Sequence, residues 1–204
     1  DMTALVVFRS KQSPGYSARE SLFCQKETKP EYLQAGYAAS INPTTGVVRP
    51  VISDGSVTIQ PTGSVNVRDG QTRILEVQWD RDGMIKSYLN GTLDSQTNIS
   101  SMKNTSLKTN FYLYIGSNRF GGYYFTGDIA EIIIYKRLLT AYERNSVMSY
   151  LNYKYFTATP PAKCGDMGTE YNPMDFNHDC YVGLADAIGC VLGGIFLQID
   201  RCPD

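Results

Sequence analysis

Apolar and polar residues alternate in short runs over roughly the first 118 positions, and the period lengthens to that of a helix only after residue 140. Alternation of this kind puts one face of a strand inward and the other outward. It predicts strands at Ala4–Arg9, Ser21–Gln25, Ala35–Ile41 and Val47–Ile52, with Asn42 to Gly46 as a hairpin connection. Arg73–Trp79 alternates cleanly, with Leu75, Val77 and Trp79 on one face and Glu76 and Gln78 on the other. Asp80 to Gly83 then turns the chain into Met84–Leu89. In Phe111–Ile115 the expected inward residues are Phe111, Leu113 and Ile115, and Tyr112 and Tyr114 point out. Residues 91–110 read as a polar loop. Phe125–Tyr135 is different: Ile132, Ile133 and Ile134 run consecutively, which predicts a central strand covered on both faces.

Thr140 and Glu143 have capping-box spacing and open a helix whose apolar stripe is Ala141, Val147, Met148, Leu151 and Tyr155. Many short strands and one late helix predict an all-β, two-sheet antiparallel sandwich, and exclude βαβ units. The segment G-D-I-A-E-I-I-I-Y, a short R-x-L-T turn and the helix ending Y-L-x-x-K-Y resemble the closing part of laminin-G-like, concanavalin A-like jelly-roll domains of bacterial extracellular proteins. YLYIGSN at 112–118 and SYLNGTL at 87–93 are similar to late strands of that family, and the resemblance spans about residues 3–157. It implies the fold. Function stays open, because the fold hosts lectins, adhesion domains and glycanases.

Two prolines in residues 157–163 mark a linker, dividing the chain into a sandwich at 1–156 and a tail at 164–204. In the tail, Asp175, Asn177, Asp179 and Asp186 stand at positions 1, 3, 5 and 12 of a loop, and Tyr181 at position 7 can offer its carbonyl. Several oxygens at that spacing suit Ca2+, a hard cation. The stretch resembles a single dockerin-type, EF-hand-like repeat. It departs from the pattern at position 6, where Cys180 replaces the usual glycine, and in having one repeat where cohesin docking uses two. Leu184, Ala187, Ile188, Val191, Leu192, Ile195 and Phe196 then predict a helix with an apolar stripe too large for so small a tail to bury alone.

Composition narrows the partners. Lys+Arg 19 against Asp+Glu 20 gives a net charge of −1, which offers nothing to nucleic acid, and no apolar run is long enough to span a bilayer. Of the 5 Cys, Cys164, Cys180 and Cys202 are disulfide candidates, with Cys164–Cys202 and Cys180–Cys202 as rival pairings. Together with N-x-S/T sequons at Asn90, Asn98 and Asn104, they place the protein outside the cell or at its surface.

No catalytic constellation emerges. The chain has 1 His, and it lacks the strand motif of paired carboxylates used by glycanases; Asp128 and Glu131, three apart, are expected on opposite faces. Tyr88, Tyr112 and Tyr114 are candidates for stacking on sugar, with Glu76, Gln78 and Lys86 as polar neighbours. The expectation is a non-catalytic adhesion or structural module with a calcium-stabilised tail. Its partners would be a glycan or protein at the cell surface, or copies of itself in an extracellular filament. The alternatives are a carbohydrate-binding module of a larger secreted enzyme and a degenerate glycanase.

Overall fold

The computed structural model describes residues 1–11, 20–25, 35–109, 112–117 and 124–156, together with the backbone of 194–197. The expected linker, the calcium loop at 175–186 and Cys164, Cys180 and Cys202 lie outside these residues.

Alternating sequence becomes two facing antiparallel sheets. Strands β1 (Met2–Ser10), β2 (Glu20–Gln25), β3 (Ala35–Ile41), β4 (Val48–Asp54), β5 (Thr58–Ile59), β6 (Thr72–Trp79), β7 (Met84–Leu89), β8 (Thr92–Asn98), β9 (Tyr114–Ile115), β10 (Gly127–Tyr135) and β11 (Gly194–Leu197) follow in chain order, with helix α1 (Ala141–Phe156) between the last two. One sheet runs β11-β10-β1-β6-β7-β8 and the other β5-β4-β3-β2-β9. Inward residues of both sheets meet in one core that includes Phe8, Phe23, Ile52, Leu75, Val77 and Trp79. The Trp79 ring lies edge-on to Phe23 with centroids 6.2 Å apart, and its Nε1–H donates to the Val51 carbonyl at 3.1 Å.

Strand β10 confirms the reading of its isoleucines. Ile132 and Ile134 face the core between the sheets, while Ile133 and Tyr135 face a second apolar layer under α1. Burying Val147, Tyr150 and Leu151 of α1 against Leu5, Val7 and Ile74 contributes roughly 1.5–3 kcal/mol for each large side chain. The capping box forms as expected: Glu143 N–H donates to Thr140 Oγ1 at 3.3 Å, and Glu143 Oε2 accepts from Thr140 N–H at 2.8 Å. The stripe differs in detail, because Ala141 is exposed and Tyr150 and Ser146 take buried places. Position 141 opens the first turn, and the helix residues in the second apolar layer begin at Val147.

Residues 91–110 are not simply a loop. β8 pairs with β7, Leu89 opposite Thr92, across a two-residue turn. Asn90 (φ 49) and Gly91 (φ 81) supply the two left-handed residues of a type I′ hairpin. At the other end, Ile195 and Phe196 sit in β11, antiparallel to β10, and not in the expected helix. This added strand pairs the edge of the six-stranded sheet that β10 would otherwise present.

Candidate functional site

Once α1 lies on the outer face of the six-stranded sheet, the residues of that face are engaged within the molecule. Glu76, 1% exposed, accepts a forked pair from Arg144, Nε to Oε1 at 2.6 Å and Nη2 to Oε2 at 3.0 Å. The same guanidinium stacks 4.4 Å from the centroid of the Tyr88 ring. Its pKa is raised, first by the hydrogen bond to Glu76 and against the cost of burial. Gln78 Nε2 also donates to Glu76 at 2.8 Å. Tyr88 is therefore a support for the helix, and the expected polar partner Glu76 is held beneath it.

The two acids expected on opposite faces share the outer one. A bulge in the β1–β10 pairing at Val7 and Phe8 puts Arg9 opposite Asp128 and Val7 opposite Glu131. The extra residue resets the parity of the strand. They still form no acid–nucleophile pair. Arg9 donates to Asp128 at 2.6 Å and Lys11 at 3.3 Å, and the Arg9 hydrogen bond leads the causes that lower its pKa. Glu131, 2% exposed, lies under α1 and accepts from Tyr155 at 2.8 Å, Tyr150 at 3.2 Å and Lys154 at 3.3 Å. Burial, and then the hydrogen bond to Glu131, push the Tyr155 phenol well above its usual range. Burial opposes the Lys154 charge, but Glu131 and Tyr155 outweigh it and the net shift is upward.

The tyrosines of the five-stranded sheet are placed differently. β9 is an edge strand, with Ile115 opposite Phe23 and Tyr114 opposite Cys24. Leu113 and Ile115 pack on the core, so Tyr114 is carried on the outer side of the sheet. Tyr112, two residues earlier, is 79% exposed, and Tyr114 is half-buried. Tyr88 belongs to the other sheet, so the structure keeps Tyr112 and Tyr114 together and separates Tyr88 from them. Tyr124 is 61% exposed; its neighbour Phe125 donates N–H to the Gly116 carbonyl at 2.8 Å, bringing that segment beside the end of β9. The sequence reading passed over Tyr124, because its position follows from a long-range hydrogen bond that no local pattern signals.

Asn90, Asn98 and Asn104 are all exposed. Asn90 Oδ1 accepts from Ile74 N–H at 2.8 Å, and Asn98 Oδ1 accepts from the Ser100 hydroxyl of its own sequon at 2.7 Å. Among the described residues, no group of His, Cys, Asp and Glu is arranged to hold a metal ion, and no helix is long and apolar enough to cross a membrane.

Two antiparallel sheets packed face to face, with one helix on the outer side, define a concanavalin A-like sandwich. The chain belongs to the laminin-G family described as the Concanavalin A-like lectin/glucanases superfamily, whose model matches residues 12–143, more than half of the 204. No curated protein matches the sequence. Similar solved structures include the CBM40 of the Ruminococcus gnavus IT-sialidase, at 17% identity and TM-score 0.57, covering 72% of this chain and 82% of that one. A heptameric SAP-like pentraxin from Limulus polyphemus matches at 14% identity and TM-score 0.54, over 73% of this chain and 70% of its own. Botulinum neurotoxin type C, described as entering cells through two ganglioside molecules, matches at 13% identity and TM-score 0.53, over 74% of this chain and 36% of its own. At these identities the likeness is one of fold.

Proposed function

We propose that this domain is a non-catalytic glycan-binding module, with Tyr112 and Tyr114 on the edge of the five-stranded sheet as its stacking platform. The observation that carries the reading is the Tyr112 ring, 79% exposed, two residues before a half-exposed Tyr114 on the sheet that α1 leaves uncovered. A ring held out by an edge strand offers a flat apolar face to a sugar and a hydroxyl to its rim. The fold's neighbours lend support: one CBM40 structure is described as bound to α2,6 sialyllactose, and a botulinum neurotoxin DC binding domain as in complex with SialylT. Carbohydrate binding thereby moves ahead of the adhesion or scaffold role that the sequence alone favours. Glycanase chemistry recedes, because Glu76, Asp128 and Glu131 are each tied to cations of this chain.

The same reading places the protein outside the cell or at its surface, where glycans are met. It assigns Ca2+ to Asp175, Asn177, Asp179, Tyr181 and Asp186 on the strength of their spacing, with Asn90, Asn98 and Asn104 as acceptors for modification. A glycan array probed with the full chain should show saturable binding. Tyr112→Ala and Tyr114→Ala should each weaken it roughly two- to tenfold, the range expected when one aromatic contact is lost. Binding unaffected by either substitution, or an array with no ligand, would remove the basis for the proposal.

A further inference from the structure

At one end of the sandwich the sheets part to leave a cleft of about 240 Å³ lined by Asp1, Met2, Tyr37, Ile52, Trp79, Arg81, Leu107 and Lys136. Its inner wall is apolar, and the Tyr37 and Trp79 rings meet there at 6.0 Å with a 50° tilt. Its mouth is charged, with Arg81 and Lys136 as its side-chain cations. The Arg81 guanidinium donates to the carbonyls of Met102, Lys103 and Thr105, all neutral acceptors. Lys136 is exposed, and among the described residues no carboxylate pairs with its ammonium or with the Arg81 guanidinium. Asp1, the one acid among the lining residues, accepts from the Arg81 backbone N–H at 3.0 Å, and the Asp80 and Asp82 carboxylates flank Arg81 near the Asp1 amine. Among the lining residues two side-chain cations stand against one carboxylate, over an apolar wall.

From this juxtaposition we infer a second binding site, for a small amphiphilic carboxylate whose aliphatic or aromatic body enters between Tyr37, Trp79 and Leu107 and whose carboxylate meets Lys136 and Arg81. The volume falls below the usual range for drug-sized ligands, which limits the occupant to a short chain or a single ring. A sugar acid fits the charge and not the wall. Its ring hydroxyls would leave water for a surface whose side chains offer few partners, and unpaired polar groups are costly to bury. An apolar body gains from the same transfer. The site is independent of the glycan proposal, since it uses none of the same residues.

Trp79 is the 1 Trp of the chain and lines the cleft, so its fluorescence is the signal for an occupant there. The full chain is titrated with octanoate, with octanol as the neutral counterpart and with glucuronate as the sugar acid. Octanoate should perturb the Trp79 emission saturably at millimolar concentration or below, and octanol and glucuronate should bind more weakly. Lys136→Gln alters an exposed side chain with no ion pair among the described residues and so should keep the fold; it should weaken octanoate about three- to fivefold and leave octanol unchanged. The inference is overturned by an unchanged spectrum with octanoate, by octanol binding as tightly as octanoate, by Lys136→Gln leaving octanoate affinity intact, or by a preference for glucuronate.

Discussion

The largest single-residue dependence of the fold should lie at Arg68. Its side chain and that of Glu20 are both 0% exposed, with Arg68 Nη2 2.8 Å from Glu20 Oε1. Nε donates to the same oxygen at 3.0 Å, Nη1 donates to the Pro43 carbonyl at 2.8 Å, and Glu20 Oε2 accepts from Thr126 N–H at 3.2 Å. The pair thus ties together the start of β2, the β3–β4 hairpin, the segment before β6 and the approach to β10. Removing one partner leaves a carboxylate in a site built around a cation, which costs about 3–5 kcal/mol. A domain of this kind holds about 5–15 kcal/mol in all. Arg68→Ala should therefore remove about a fifth or more of the stability and lower the melting temperature by about 6–20 °C. The double variant Glu20→Gln with Arg68→Met removes both charges and should recover most of that loss, since a buried pair and a neutral replacement are often nearly equivalent. Urea unfolding followed by Trp79 fluorescence and by far-ultraviolet circular dichroism measures both variants. Arg68→Ala within about 1 kcal/mol of the parent, or a double variant no better than the single one, would refute the assignment of the cost to an uncompensated charge.

Two further outcomes rest on other parts of the chain. The Arg137 hydrogen bond, ahead of those from Thr140, holds the Glu143 carboxyl down to about 2 from 4.5. With the folded value below the free one, its contribution is present above 4.5 and drains as pH falls toward 2. The difference in urea midpoint between parent and Glu143→Gln should shrink across that window, and Thr140→Ala should cost about 1 kcal/mol at neutral pH; a difference that does not change with pH would contradict the sign. In the tail, calorimetry should detect Ca2+ binding that Asp175→Ala abolishes, while chelation leaves the circular dichroism of the sandwich largely intact. An absence of Ca2+ binding to the intact chain would end the metal proposal.

How much of this was legible in the sequence depended on whether the signal was local. The helix cap is written in two residues three positions apart, Thr140 and Glu143, and it forms as the spacing predicts. The three consecutive isoleucines carried the position of β10, because only a strand covered on both faces tolerates them. β8 escaped notice because an edge strand with polar, exposed side chains has no alternation to detect. The Asn90-Gly91 pair was the available signal, being a strong marker of a two-residue hairpin. Ile195 and Phe196 fell to a different ambiguity: a short apolar run fits a helix stripe and a strand equally well, and the pairing to β10 that decides between them lies far away in sequence. Nothing local announces Glu20 with Arg68, whose partners stand 48 positions apart.

Sheet membership was the least legible property, and it carries the most weight for function. Tyr88 and Tyr114 look alike in sequence, each in a short alternating strand. Chain order alone does not say that β7 joins the sheet of β1 and β6 while β9 joins β2. That one topological fact separates their roles, because α1 packs on the first sheet through Leu5, Val7, Ile74 and Ile133 and brings Arg144 over Tyr88. The same packing consumes the acids. A groove with two carboxyls facing a substrate is what glycoside hydrolysis demands, and here Glu76 and Glu131 are turned to Arg144 and Lys154 of the covering helix. A helix laid on one face of a sandwich leaves the other sheet and the ends free of that cover. Those are the places where an exposed Tyr112 and an apolar cleft under Arg81 and Lys136 are found.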